Sequence, residues 1–146
     1  RAMKGSLELL KSHLKGEKTD TIGKIVIGTV FGDLHDIGKN LVASMFEVCG
    51  FEVVNMGVNI SADKFVETVK IEKPDILCLS ALLTTTMSYM KVVMDALEKE
   101  GLRDQVKVMV GGAPVNELFA NQIGADGYSG NANAAVIKAK ELLCIA

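Results

Sequence analysis

The chain has 146 residues, 49% of them hydrophobic and 23% charged, which suits one domain with a proper core. Sixteen Lys and Arg against eighteen Asp and Glu leave a net charge of -2, so no electrostatic footprint for nucleic acid or an anionic membrane is present. The longest uncharged run, 76–90, is broken by Ser and Thr and is too short to span a bilayer.

In chain order, residues 3–15 place Leu7, Leu10 and Leu14 at helical spacing, and a polar stretch over 16–20 follows. The run 24–31 (KIVIGTVF) carries no charge after Lys24, as a strand buried on both faces should. From Ile37, the residues Leu41, Val42, Met45, Phe46 and Cys49 recur at helical spacing until Gly50 ends the helix. A strand is predicted over 51–57. Ser61 then caps a helix that runs to about Lys73, where Pro74 breaks it. The run 75–82 is a second fully buried strand, and Thr85 or Thr86 opens a helix through Glu100. A strand over 106–112, a short helix over 115–123, a brief strand near 126–128 and a last helix from about Asn131 to Leu143 complete the chain.

Five strands alternating with helices predict an α/β fold: one parallel sheet, helices on both faces, in the flavodoxin-like (Rossmann-like) order 2-1-3-4-5. In such sheets ligands bind beyond the carboxyl ends of the strands, where the strand order reverses. Those ends here are Gly32, Asp33, Leu34, His35, Asp36, Ile37 and Gly38 after strand one, residues 80–86 after strand three, and Gly111-Gly112-Ala113-Pro114 after strand four.

Several ligands are disfavoured by these residues. A P-loop needs a different glycine spacing from Gly32 and Gly38, and Asn40 replaces its magnesium-binding hydroxyl. A phosphoacceptor receiver needs an Asp at the end of strand three, and none is there. Flavin binding needs hydroxyls in the first loop and aromatics around the ring. The loop has no Ser or Thr, and the chain has two Tyr and no Trp. Two histidines far apart, His13 and His35, make a paired-His metal site improbable. Cys49, Cys78 and Cys144 form no CxxC pair and are expected to be buried structural thiols of a cytoplasmic protein. What remains is one His flanked by carboxylates at the functional edge. It is either a solvated loop residue or the sole protein ligand of a metal held by a macrocycle, with a carboxylate fixing its tautomer.

Asp33-x-His35-x-x-Gly38, then Ser80-x-Leu82, then Gly111-Gly112, each at a strand end, resembles the cobalamin-binding fingerprint. That fingerprint is shared by corrinoid methyltransferase proteins, methionine synthase and adenosylcobalamin mutases. GDLHDIGKNLV, NMGVNI and GGAPVN look most like the corrinoid proteins of methanol, methylamine and methoxy-aromatic methyltransferase systems. The resemblance implies that His35 is the lower axial ligand of cobalt in the base-off/His-on mode, and that Asp33 bonds its other ring nitrogen. Thr86 would extend the relay where methionine synthase has Ser, with helix N-capping as its alternative role. Gly111 and Gly112 would admit the cofactor's nucleotide tail; Ser80 would bond its benzimidazole, and Leu82 would line the slot. Gly32, Leu34, Asp36, Ile37 and Gly38 would frame the cofactor, Thr84 would lie near the corrin rim, and Tyr128 to Ala132 would close the loop around the tail.

The function so implied is a corrinoid methyl carrier cycling between methylcobalamin and cob(I)alamin, inactive alone. Its partners would be a substrate-specific methyltransferase, a second methyltransferase (to tetrahydrofolate or a thiol such as coenzyme M) and a reductive activase. The alternative is the cobalamin subunit of an adenosylcobalamin-dependent mutase; a cobalamin-dependent regulator or light sensor is a third class. Residues 1–20 are read as the exit helix and linker of a helical cap domain, and 21–146 as the cobalamin domain. The chain opens on Arg1 and is expected to be part of a longer protein whose missing cap leaves the methyl face of the corrin open.

Overall fold

The computed structural model describes residues 21–144; the helix and linker expected over 1–20 lie outside them. The described strands are β1 (Lys24–Val30), β2 (Glu52–Ile60), β3 (Ile76–Ser80), β4 (Lys107–Gly111) and β5 (Gly127–Ser129). They form one parallel sheet in the order β2-β1-β3-β4-β5, as the alternation of elements predicts. The α-helices are α1 (Ile37–Val48), α2 (Ala62–Glu72), α3 (Thr84–Met87), α4 (Tyr89–Lys99), α5 (Glu117–Ile123) and α6 (Ala132–Leu142). No helix among the described residues is long and apolar enough to cross a membrane.

Side chains alternate across each strand, so the uncharged runs supply two cores at once. Ile25, Ile27, Ile76, Cys78 and Met109 face one layer, where Phe46 of α1 and Ala135 and Ala139 of α6 meet them. Val26, Leu77, Leu79, Val108 and Val110 face the other, against Phe65, Val69, Met90, Val93 and Leu97. Phe46 and Phe51 meet edge to face at 5.3 Å between centroids. Each fully buried side chain of this size contributes about 1.5–3 kcal/mol by leaving water.

Helix starts follow the sequence closely. Ser61 Oγ accepts from the Lys64 amide at 3.2 Å, Asn116 Oδ1 from Phe119 at 2.8 Å, and Asn131 Oδ1 from Ala134 at 2.7 Å. Gly50 follows α1 in the left-handed conformation, with φ +103.

Four expectations are corrected. β2 continues past Gly57 to Ile60, because register shifts between Ile27 and Gly28 and between Gly28 and Val30 let the bulged strand keep pairing. β3 ends at Ser80 rather than at 82. The single helix expected from Thr85 or Thr86 is two, α3 and α4, with Ser88 between them. Leu83 occupies the cap position, so Thr86 lies inside α3 and is not an N-cap. Of the cysteines, Cys78 alone is buried; Cys49 is half-buried and Cys144 is exposed on the surface.

Candidate functional site

The first loop leaves β1 through exposed Phe31 and Gly32, whose φ of +89 lies where glycine is favoured. The Asp33 amide turns back to the Val30 carbonyl at 3.1 Å, and the Thr29 hydroxyl, buried in β1, donates to the His35 carbonyl at 3.0 Å. From β2, Asn59 Oδ1 accepts the Gly32 amide at 2.7 Å, while the Asn59 backbone N–H donates to the Asp33 carbonyl at 3.0 Å.

This frame buries the Asp33 carboxylate completely and leaves the His35 ring about half exposed above it. Asp33 Oδ1 accepts the His35 amide at 3.0 Å and its ring Nδ1 at 2.8 Å. Asp33 Oδ2 accepts the Leu82 amide at 2.7 Å and the Thr86 hydroxyl at 2.6 Å. Thr86 Oγ1 also lies 3.1 Å from the Leu83 carbonyl, but its single proton goes to the shorter, charged acceptor. Burial alone would raise the Asp33 pKa. It is outweighed by the Thr86 hydroxyl, the Leu82 amide and the His35 ring and amide, which hold the carboxyl well below the usual range. An anionic Asp33 keeps the ring proton on Nδ1, which leaves Nε2 as the nitrogen with a free lone pair.

Beside His35, a cleft of roughly 650 Å³ opens between the carboxyl edge of the sheet and helices α1 and α6. Leu34, His35, Asp36, Ile37 and Gly38 line one side; Ser80, Leu82, Gly111 and Gly112 line the floor, and Ala132 lines the far wall. Two of its glycines are set by backbone packing, and a third borders open space. A Cβ on Gly112 would stand 1.8 Å from the Ala81 carbonyl oxygen, at a φ of +127, so that position excludes every side chain. A Cβ on Gly111 would sit 3.1 Å from the Ser129 carbonyl oxygen. One on Gly38 would meet nothing within 4 Å and would occupy cleft volume.

The remaining candidates lie elsewhere. Asp33 and Thr86 sit beneath the cleft as the support of His35, and Gly32 serves the turn. Thr84 is exposed at the start of α3 and does not line the cleft. Tyr128 packs against the core on the opposite sheet face, so only its neighbours Ser129, Gly130, Asn131 and Ala132 reach the cleft. Sequence reasoning gave no role to Thr29, nor to Asn59 and Lys39, although these two lie within the segments NMGVNI and GDLHDIGKNLV. The Lys39 ammonium is buried and donates to Asn40 Oδ1 at 2.9 Å and Asn55 Oδ1 at 2.7 Å. Burial lowers its pKa, and the charge of Asp36 partly opposes this. Among the described residues no cluster of three or more His, Cys, Asp or Glu is placed to hold a metal ion.

A family model described as the B12 binding domain matches residues 23–137. The chain is 46% identical over 144 residues to trimethylamine corrinoid protein 2 of Methanosarcina mazei, covering 97% of this chain and 66% of that relative. It is 47% identical over 143 residues to dimethylamine corrinoid protein 3 of the same organism, covering 97% of this chain and 86% of the relative. Among solved structures, it resembles a chain of the methanol:cobalamin methyltransferase complex of Methanosarcina barkeri, with a TM-score of 0.84 and 34% identity over 98% of this chain and 54% of that one.

Proposed function

Because the chain belongs to the B12-binding domain family, we propose that it is the cobalamin domain of a corrinoid methyl carrier in a methylamine- or methanol-type methyltransferase system. The observation that carries this reading is the continuous relay from Thr86 through Asp33 to His35, opening on a cleft floored by glycines.

The residues fit such a cofactor. Nδ1 of His35 is committed to Asp33, so Nε2 is the nitrogen that would hold cobalt. The empty space beside Gly38 would admit the nucleotide tail, with Ser80, Leu82, Gly111 and Gly112 lining the same cleft. When bound, the corrinoid supplies a metal centre that accepts a methyl group from one partner and yields it to another. The chain's own work is to present one imidazole, its tautomer and orientation set by an anionic carboxylate, and to keep the tail slot clear. In this reading the donor and acceptor sites belong to partners: a substrate-specific methyltransferase, a second methyltransferase and a reductive activase. The solved relative being a methyltransferase complex supports that division of labour.

The test is to add cobalamin to the purified chain and record its visible spectrum and the EPR of the cob(II) form. A base-off spectrum with hyperfine splitting from a protein nitrogen, lost in His35→Ala, is expected. No spectral change with the unaltered chain would overturn the proposal.

A further inference from the structure

We propose that Asn59 is a positioning residue for His35: from the neighbouring strand, it holds the backbone that aims the Asp33–His35 pair.

The fold goes out of its way to deliver this side chain. β2 pairs with β1 at Ile27↔Asn55, and in unbroken register Val30 would face Val58. Two register shifts instead bring Gly28 opposite Gly57 and Val30 opposite Ile60, so β2 spends two extra residues over the end of β1. Bulges of this kind re-aim a side chain beside a functional site. What they re-aim here is Asn59, which adopts φ +58, a conformation that Asn tolerates better than most residues. It faces Gly32, itself at φ +89.

Asn59 then makes two bonds to two successive residues of the loop. Its side-chain Oδ1 accepts the Gly32 amide at 2.7 Å, and its backbone N–H donates to the Asp33 carbonyl at 3.0 Å. The other backbone anchors of this segment, the Val30 carbonyl and the Thr29 hydroxyl, both come from β1 itself. Asn59 therefore ties the loop to a second strand and limits rotation of the Asp33 carboxylate under His35. Burial does not demand the side-chain bond, because Gly32 and Asn59 are both exposed and water could satisfy either group. Its effect is orientation, acting through Gly32 and Asp33 without touching a ligand.

The test uses two readouts, only one of which rests on the cobalamin reading above. In the cofactor-free protein, ¹⁵N NMR of the imidazole reports whether His35 keeps its proton on Nδ1. Asn59→Gly, which keeps the left-handed backbone and removes Oδ1, should shift that spectrum toward a mixture of tautomers at an unchanged fold. With cobalamin added, the same variant should bind about three- to tenfold more weakly, below the 10–100-fold typical of groups bonded directly to a metal ligand. Its cob(II) EPR should lose part of the protein-nitrogen splitting. Asn59→Asp, which retains an acceptor, should restore both signals. Asn59→Ala, which carries no acceptor, repeats the test should the glycine variant not fold. Wild-type imidazole and EPR spectra in a folded variant lacking the acceptor would overturn the inference. If the unaltered chain binds no cobalamin, the proposed function fails while the imidazole spectrum still decides the role of Asn59.

Discussion

The Thr86 hydroxyl lies 2.6 Å from the buried Asp33 carboxylate across 53 residues of sequence, and this contact joins the loop after β3 to the loop after β1. Because the acceptor is charged and shielded from water, the bond is of the strong class. Replacing Thr86 with Val keeps the shape and deletes the donor, which should destabilise the domain by about 1.5–3 kcal/mol. Thr86→Ser should stay close to the parent. Urea unfolding of the three proteins at pH 7 checks this, and a Val variant as stable as the parent would refute it.

Asp33 also predicts an acid limb to the stability curve. Its folded pKa is depressed, so its contribution is complete above the unfolded carboxylate value of about 3.9 and is lost as pH falls toward the folded value. The unfolded chain takes up the proton first, which fixes the sign. Asp33→Asn should therefore be less stable than the parent at neutral pH, with the gap narrowing below about pH 4. Parallel denaturation curves from pH 7 to pH 3 are the measurement, and a gap that widens on acidification would contradict it.

Two glycines of the cleft should respond in opposite ways to the same methyl group. Gly112→Ala drives a Cβ against the Ala81 carbonyl at a left-handed φ, so expression as a folded domain should collapse. Gly38→Ala adds a methyl in open space within the first turn of α1, where Ala favours helix over Gly by up to about 1 kcal/mol. That variant should melt at or above the parent temperature and yet bind cobalamin more weakly, since the methyl occupies the cleft. Melting curves paired with cobalamin titrations separate the two effects.

Thiol chemistry should divide the cysteines sharply. Burial pushes the Cys78 thiol up to about 12, whereas Cys144 is exposed. In the native protein, iodoacetamide should modify Cys144 rapidly and leave Cys78 untouched until denaturant is added. Mass spectrometry of the labelled peptides reads the order, and early modification of Cys78 would show that its layer opens readily.

Much of this molecule was legible in advance. The uncharged runs marked β1 and β3, the polar strand ends marked the edge where the cleft opens, and alternating elements implied the sheet order that the fold adopts. The errors cluster where a local pattern meets a distant partner. The helix after β3 is broken at Ser88, two residues past the Thr86 that bonds Asp33, and β2 runs on because its bulges keep pairing with β1. Tyr128, a natural candidate for the last loop, faces the opposite core, because a strand of three residues offers too little alternation to read its faces.

The opening composition offered no charge footprint for nucleic acid and no uncharged run long enough to span a bilayer, and a chain with two histidines left room for one functional imidazole. By itself, the sequence determined the elements, the sheet and the residues at its carboxyl edge, because hydrophobic periodicity and capping act over a few neighbours. Only the tertiary structure decided how His35 is held. The bonds from Asn59 to Gly32, from Leu82 to Asp33 and from Thr86 to Asp33 span 27, 49 and 53 residues. Such pairings depend on register, bulges and loop closure across strands, and none of these is written in the neighbourhood of the residues they join.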